Sequence, residues 1–465
     1  MKKLNQLKRA ATVFLCFFLM SALSAQNLES KIDKVLKTQF KSNETGVSVL
    51  VAKRGKVIYR KAFGKANLEL DVNMIPENVF KVGSMTKQFT SVSILMLLEE
   101  GKLSLEDTIT KYIPNFPIKG KQITIHHLLT HTSGIKNYTS IRKFGEITTD
   151  DIPPLEFIDF FKNEPVDFEP GEKYKYSNSG YFILGYIIEK VSGISYSKFV
   201  EERIFKKLNM YSSCYESHTK LIKNRASGYQ KRGEGFLNHK YFSSTLPYAA
   251  GSIMSNVDDM LKWQTAISNN LLLKKETTAK AFTNYTLDNG KKINYGYGWH
   301  LNEINGIPTI EHGGSIPGYK SMGVYVPSED VYVVVFSNCG CQSPTKTAIR
   351  IAALAIDKPF FTKEKAVSLS KEELDKWVGA YEFEDGAVRF ISIEGNQLYS
   401  QREGSSQKIK IYPTTANEFS SEDGFISYSF SLENRKQVVV FQNRIEKEKG
   451  VYTQKEVLKE KKIFQ

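Results

Sequence analysis

Three groups of residues in this chain have the types and spacings that acyl chemistry needs. The first is Ser84-Met85-Thr86-Lys87. A serine hydroxyl is a weak nucleophile until a neighbour takes its proton. A partly buried lysine has its pKa lowered and can act as that base, or as an electrostatic partner. The spacing alone is a weak signal, because S-x-x-K recurs at Ser133, Ser140, Ser195, Ser217, Ser343, Ser368 and Ser405. Context separates Ser84 from those seven. It alone follows an apolar extended run, Val79-Phe80-Lys81-Val82, crosses Gly83 and opens a strongly apolar helix. There the hydroxyl sits at the positive end of the helix dipole, and Lys87 projects from the same face about one turn on. The plain structural alternative is an exposed helix start with a solvated lysine.

The second group is Tyr176-Ser177-Asn178, ahead of a helix that starts near Gly180. Of 24 tyrosines, only Tyr176 begins Y-x-N. A phenol beside a lysine ammonium has its phenolate favoured and can serve as a general base. The Asn178 amide both donates and accepts, which suits a substrate amide. The alternative is that Asn178 or Ser179 is a helix N-cap and Tyr176 merely packs. The third group is His312-Gly313-Gly314, in "TIEHGGSIPGYKS". His312 ends a strand, and the glycines let a substrate backbone approach the strand edge. The alternative is a glycine turn with an incidental histidine.

The elements that must position these groups are legible in outline. Two β-branched runs around Lys53-Arg54-Gly55-Lys56 predict a hairpin within 46–67. Phe89, Val92, Leu95 and Met96 recur at helical spacing, with Gly101 as the stop. The middle, to about residue 270, reads as mostly helical. Strands return in "YGYGWHL", "TIEHGG", "KSMGVYV" and "VYVVVFSN", followed by a closing helix over 347–356. One antiparallel sheet built from the two ends, with helices against it, predicts an α/β (α+β) domain. Past Pro359 a linker is expected over 359–371. Short alternating strands from 372 to 465 then suggest a small β-barrel or sandwich. The Lys- and Glu-rich tail over 446–462 reads as fraying.

The bulk properties narrow the class. Of 465 residues, 41% are apolar and 25% charged, ordinary for a soluble globular protein. Residues 1–25 combine a basic start, an apolar run over 10–20 too short to span a bilayer, and the small residues Ser21 to Ala25. They read as a secretory signal peptide, with an uncleaved anchor as the alternative, which leaves a domain over 26–358 in an exported, periplasmic or secreted protein. Removing the four cations of that segment lowers the formal charge from +14 to +10. No nucleic-acid motif accompanies it, and no later segment is apolar and long enough for a stable membrane span. Cys214, Cys339 and Cys341 are too few for a disulfide framework or a zinc site of their own, and Cys339-Gly340-Cys341 reads as buried rather than redox-active. His127 and His131 have zinc-ligand spacing, but Leu128 stands where H-E-x-x-H has glutamate. His131 and Thr132 are better read as satisfying backbone groups where a helix ends at Gly134. No cofactor or metal is expected. The absence of G-x-S-x-G argues against an α/β-hydrolase elbow.

Taken in order, Ser-x-x-Lys, Tyr-x-Asn and His-x-Gly resemble the serine β-lactamase and penicillin-binding-protein superfamily. The branch most resembled holds class C β-lactamases, D-aminopeptidases, DD-carboxypeptidases and esterases. "ITIHHLLTHTSGI", "PGEKYKYSNSGY", "AAGSIMSNVDDMLKW" and "YGYGWHL" strengthen the match. The C-terminal stretch beginning "EELDKWVGAYEF" looks like the lipocalin-like domain that trails such hydrolases. The resemblance implies that Ser84 is acylated and that Lys87 and Tyr176 share its proton and that of the leaving group. Tyr176 then activates water. Asn178, His312, Gly314 and Ser315 hold the substrate, with the oxyanion between the backbone N–H groups of Ser84 and Ser315. His312 replaces the usual lysine of class C enzymes, which weakens the expectation of β-lactam hydrolysis. If His312 worked by charge, activity on carboxylate-bearing substrates would rise as pH falls through ~6.5. The implied substrate is a D-amino-acid or peptidoglycan-derived peptide, an ester or a β-lactam. The competing class is a non-catalytic binder of peptidoglycan fragments on the same fold.

Overall fold

The computed structural model describes residues 27–454, apart from 119, 121 and 342. The signal-peptide reading of residues 1–25 lies outside the described residues, as does the end of the expected frayed tail, 455–462. The chain forms two compact units. The first comprises the chain through Leu301 and Pro308–Ile356; the second comprises Asn302–Ile307 and the chain from Asp357 onward.

The first unit is organised by a six-stranded sheet. Its strands are β1 (Val47–Lys53), β2 (Lys56–Phe63), β6 (His300–Ile304), β7 (Ile307–Ile316), β8 (Tyr319–Val326) and β9 (Val331–Ser337), in the order β6-β7-β8-β9-β1-β2. Strands β3 (Phe80–Lys81), β4 (Cys214–Tyr215) and β5 (Ile253–Ser255) form a small second sheet, in the order β3-β5-β4. The expected hairpin joins β1 to β2, with Arg54 at φ 51° and Gly55 at φ 70°. Two left-handed residues in a two-residue loop suit the right-handed twist of the strands. The predicted union of the two ends is direct: β1 lies antiparallel to β9 from Val47 opposite Ser337 to Lys53 opposite Val331. Both strands are buried nearly throughout, which is why they read as unbroken apolar runs.

Helix α1 spans residues 27–39. Helices α2 (Thr86–Glu99), α3 (Asn178–Ser192), α4 (Val257–Ser268) and α5 (Pro344–Ala355) carry most of the remaining core. Every residue of α2 from Thr86 to Leu97 is buried. Such a helix is an internal axle rather than a surface element. It stops where expected: Gly101, at φ 68°, donates to Leu98 O at 3.0 Å. Helix α5 packs on β8 and β9, and α4 on β1 and β9.

The second unit is a closed eight-stranded barrel, β10 (Gly379–Phe383), β11 (Val388–Glu394), β12 (Gln397–Arg402), β13 (Lys408–Pro413), β14 (Glu418–Ser421), β15 (Ile426–Glu433), β16 (Lys436–Asn443) and β17 (Glu446–Thr453). Each strand pairs with the next, and β17 closes on β10 from Thr453 opposite Ala380 to Gly450 opposite Phe383. Residues 446–453 are therefore the strand that removes the last sheet edge, not a fraying tail. The segment read as a linker packs in this unit: the Phe360 and Phe425 rings stack at 4.5 Å, and Val367 N donates to Pro413 O at 3.0 Å. Cys339 and Cys341 are bonded to each other, a local staple after β9 rather than a framework. Cys339 is buried as expected, whereas Cys341 is exposed.

The two cores share no residue. The buried cluster of the first unit ends at Phe336, and that of the barrel begins at Leu374. A chain ending at Lys365 is therefore expected to stay soluble, to melt cooperatively and to keep a reactive Ser84. An insoluble product, or one whose Ser84 no longer reacts with a fluorophosphonate probe, would show that the first unit needs the barrel.

Candidate active site

Ser84 lies in a single 3-10 turn, Gly83–Met85, that feeds into α2. Gly83 is at φ +52°, and a Cβ there would stand 3.0 Å from Ser315 N. Gly314 is tighter still: its added Cβ would be 2.0 Å from Val82 O. Ser321 Oγ donates to the same Val82 carbonyl at 2.7 Å. These glycines let β7 lie directly against the turn that carries Ser84. The backbone of Ser315, for which the resemblance implies the second oxyanion donor, is thereby brought against Gly83, the residue before Ser84.

Lys87 is fully buried in the first turn of α2. Its Nζ lies 2.8 Å from Asn178 Oδ1, 2.9 Å from Ala250 O and 3.3 Å from Ser84 Oγ. All three neighbours are neutral acceptors, and burial pushes the Lys87 pKa well below its ordinary value. Asn178 opens α3 and spends its carbonyl on Lys87. The N-cap of α3 is Ser177, not Asn178 or Ser179; Ser179 Oγ instead donates to Lys136 O at 2.7 Å. Ala250 comes from the "AAGSI" stretch, whose Ile253 N donates to Thr86 Oγ1 at 3.1 Å. Sequence reasoning gave no role to Ala250, because a backbone carbonyl leaves no mark in residue type.

Tyr176 is half-buried, with its hydroxyl oxygen sealed from solvent and its ring 4.8 Å from Lys87 Nζ. The sequence argument had the lysine favouring the phenolate. The structure reverses the sign: burial raises the Tyr176 pKa well above its ordinary value, and Lys87 itself is held towards its neutral form. Ser84 works the other way, but no hydrogen bond of normal geometry reaches Tyr176 Oη among the described residues. The ring is caged by His131 at 4.2 Å and, more loosely, by Tyr295, His300 and His312. His131 does cap backbone, though by a longer reach than expected: its Nδ1 accepts from Ser177 N at 3.1 Å.

His312 is buried in β7 and is not presented as a cation. Its Nδ1 lies 2.6 Å from Gly313 O, which can only accept, so Nδ1 carries the proton. Nε2 then accepts from the Tyr295 hydroxyl at 3.1 Å. Burial, His300 and Lys87 all drive its pKa well below the ordinary histidine value. The folded ring therefore stays neutral near pH 6.5, which speaks against recognition by His312 through charge. No cluster of His, Cys, Asp and Glu suited to a metal occurs among the described residues.

The β-lactamase family model matches residues 28–356, the whole of the sheet-and-helix unit and the site within it. The chain belongs to the β-lactamase family. A penicillin-binding protein of Bacillus subtilis (strain 168) is 26% identical over 430 residues, covering 88% of this chain and 94% of the relative. The octameric penicillin-binding protein homologue from Pyrococcus abyssi superposes with a TM-score of 0.64 at 28% identity, over 91% of this chain and 99% of that one. The D-amino acid amidase from Ochrobactrum anthropi SV3 shares the fold, with a TM-score of 0.63 at 23% identity over 71% of this chain and 99% of its own. The family supports serine hydrolase chemistry in general terms. No described helix is long and apolar enough to cross a membrane.

The buried histidines make stability depend on pH. His131 and His312 both have folded pKa values driven well below 6.5. The unfolded chain takes up their protons as pH falls through ~6.5, while the folded chain does not, so stability is lost below that pH. Urea unfolding between pH 7 and 5 should show that loss. His312→Gln should flatten the slope by up to about 1.4 kcal/mol per pH unit. An unchanged slope in the variant would mean that His312 titrates alike in both states.

Proposed function

We propose that this protein is an exported serine hydrolase that forms an acyl-enzyme at Ser84 and cleaves a D-amino-acid or cell-wall type peptide, or a small ester. One observation carries the reading: Lys87 is fully buried against Ser84, Asn178 and Ala250, with only neutral acceptors around it. A neutral amine has two N–H donors and one lone pair. Asn178 Oδ1 and Ala250 O, the two shorter contacts, take the donors. The lone pair is left for the Ser84 hydroxyl proton.

The steps then balance. Ser84 Oγ–H gives its proton to Lys87 Nζ as Oγ bonds to the substrate carbonyl carbon. The new ammonium has three donors for three acceptors at the moment the oxyanion forms. The oxyanion rests between the N–H groups of Ser84 and Ser315. Tyr176, protonated in its cage, passes its phenolic proton to the departing amine or alkoxide and recovers one from Lys87. In deacylation the same pair takes a proton from water as it attacks the ester carbon, and returns it to Ser84 Oγ. Gly314 keeps the β7 edge open to the substrate backbone. His312 contributes rigidity through Tyr295 and Gly313 O rather than charge. A third motif without a permanent cation supports peptides and esters over β-lactams, whose carboxylate gains from a fixed positive charge.

Intact-mass spectrometry after a fluorophosphonate or penicillin probe should find one label, on Ser84, absent in Ser84→Ala. A panel of D-peptides, nitrophenyl esters and a chromogenic cephalosporin should show turnover of the first two classes above the third. Absence of any label would favour a non-catalytic binder of peptidoglycan fragments. The acylation rate should climb with pH through the lowered Lys87 value and level off well below 10.5, since the neutral amine is the reactive form. Tyr176→Phe should keep the fold and cut turnover at least ~100-fold. Unchanged kinetics would return Tyr176 to a packing role.

A further inference from the structure

Past Ser315, β7 runs to the rim of a separate cavity of about 450 Å³ that the chemistry above does not use. Its polar wall is Lys81, His218, Arg225 and Lys240, and its apolar wall includes Tyr241 and Tyr319. Local hydrogen bonding brings these groups together. Val79 N donates to Asn224 O at 2.9 Å, and Ala226 N to Val79 O at 3.0 Å, which pins Arg225 beside the strand carrying Lys81. Tyr319 Oη donates to Ala226 O at 2.7 Å and closes the third side.

The charges behind this wall do not cancel. Glu216 has a carboxylate with 1% of its side chain exposed, and it pairs with Lys81, itself 8% exposed. Arg225 Nη2 lies 3.8 Å from the same oxygen and His218 Nε2 lies 3.5 Å from it. One buried carboxylate therefore faces two permanent cations, and Lys240 adds a third on the cavity wall; the other carboxylates that reach the lining, Glu69 on Asn238 and Asp151 on Tyr241, are exposed and screened by solvent. A partly desolvated excess of positive charge favours an anion, and an arginine fork favours a carboxylate.

Strand β7 serves as a ruler for where that anion belongs on a substrate. The Tyr176 ring is 6.2 Å from the His312 ring, near the middle of the strand. Pro317, on the cavity rim, lies five residues further along, or roughly 16 Å at strand spacing. Between them the turn that carries Ser84 lies against the strand, Val82 at Gly314 and Gly83 at Ser315. Tyr176 marks the leaving-group side, so the cavity lies on the acyl side of the scissile bond.

We infer that the cavity formed by Lys81, Arg225 and Lys240 binds a carboxylate carried on the acyl side of the substrate and selects acidic acyl groups. The inference rests on Ser84 being the acylated residue, and equilibrium binding can test it without turnover. The probes are a D-alanyl-D-alanine peptide with an N-terminal succinyl cap, which ends in a carboxylate, and the same peptide with a succinamoyl cap, which ends in an amide. In full-length Ser84→Ala protein the acid cap should bind about tenfold more tightly, the scale of one charge-assisted contact. Adding Arg225→Gln and Lys240→Gln should bring the ratio within about twofold, as should 0.5 M NaCl in the parent. Lys240 is exposed and Arg225 half-exposed, so the double change spares the core. Equal affinities in the parent, or a ratio that survives both substitutions, overturn the inference. Inorganic phosphate binding as tightly as the succinyl peptide also overturns it, in favour of a general anion site. Failure of Ser84 to take a fluorophosphonate label in the wild-type protein is a different result, and counts against the acyl-enzyme instead.

Discussion

Burial of the Lys87 amine without an acidic partner is the constraint on which the site depends. An ammonium removed from water is costly unless an anion or a full set of hydrogen bonds replaces the solvent. Here Asn178 Oδ1, Ala250 O and Ser84 Oγ surround the nitrogen. An aspartate in place of Asn178 would have stabilised the ammonium and removed the base. A leucine would have left the amine short of acceptors. An amide does neither, and this explains why asparagine, rather than a stronger partner, begins α3. The same logic governs Tyr176: burial raises its pKa, and a neutral Lys87 is no standing cation to offset that.

That arrangement requires three distant parts of the chain to meet within a few ångströms. Sheet closure achieves it. The pairing of β1 with β9 ties the two ends of the first unit together, and β7 is then two strands away from β9. Gly83 and Gly314 allow the last approach, where any side chain would overlap backbone atoms across the contact. Helix α2, buried on all sides, fixes Lys87 against movement, and the "AAGSI" segment is held to it through Thr86 and Thr90, whose Oγ1 donates to Ala249 O at 2.6 Å. The geometry is a property of packing around α2 as much as of the polar residues themselves.

The sequence carried much of this, unevenly. Ser84 was separable from seven other S-x-x-K serines because an apolar strand, a glycine and an apolar helix are patterns of residue type. The alternative for Asn178, a helix cap, was equally consistent with residue type, and only the tertiary contact with Lys87 decides between them. The direction of the Tyr176 titration is not legible in the sequence, because burial by residues far along the chain has no local signature. The stretch 446–453 was taken for a tail because a barrel strand with a solvated face looks like any Lys- and Glu-rich segment until its partner, β10, is found. The barrel itself was legible, since turns such as Glu394-Gly395-Asn396 punctuate its strands regularly.

The middle of β7 and the turn that follows it differ in kind. At His312 a polar group is neutralised by burial and by internal hydrogen bonds to Tyr295 and Gly313 O. At Pro317 charges persist, because the cations near Glu216 outnumber the single carboxylate they share. A neutral setting suits proton transfer, where a permanent charge nearby would lock Lys87 or Tyr176 in one protonation state. A charged setting suits recognition, where field strength matters and no proton must move. Were Lys81 and Arg225 placed beside His312, their fields would lower the Tyr176 pKa and hold Lys87 neutral against the proton that the proposed mechanism gives it. The distance from His312 to the turn after β7 keeps the two demands apart.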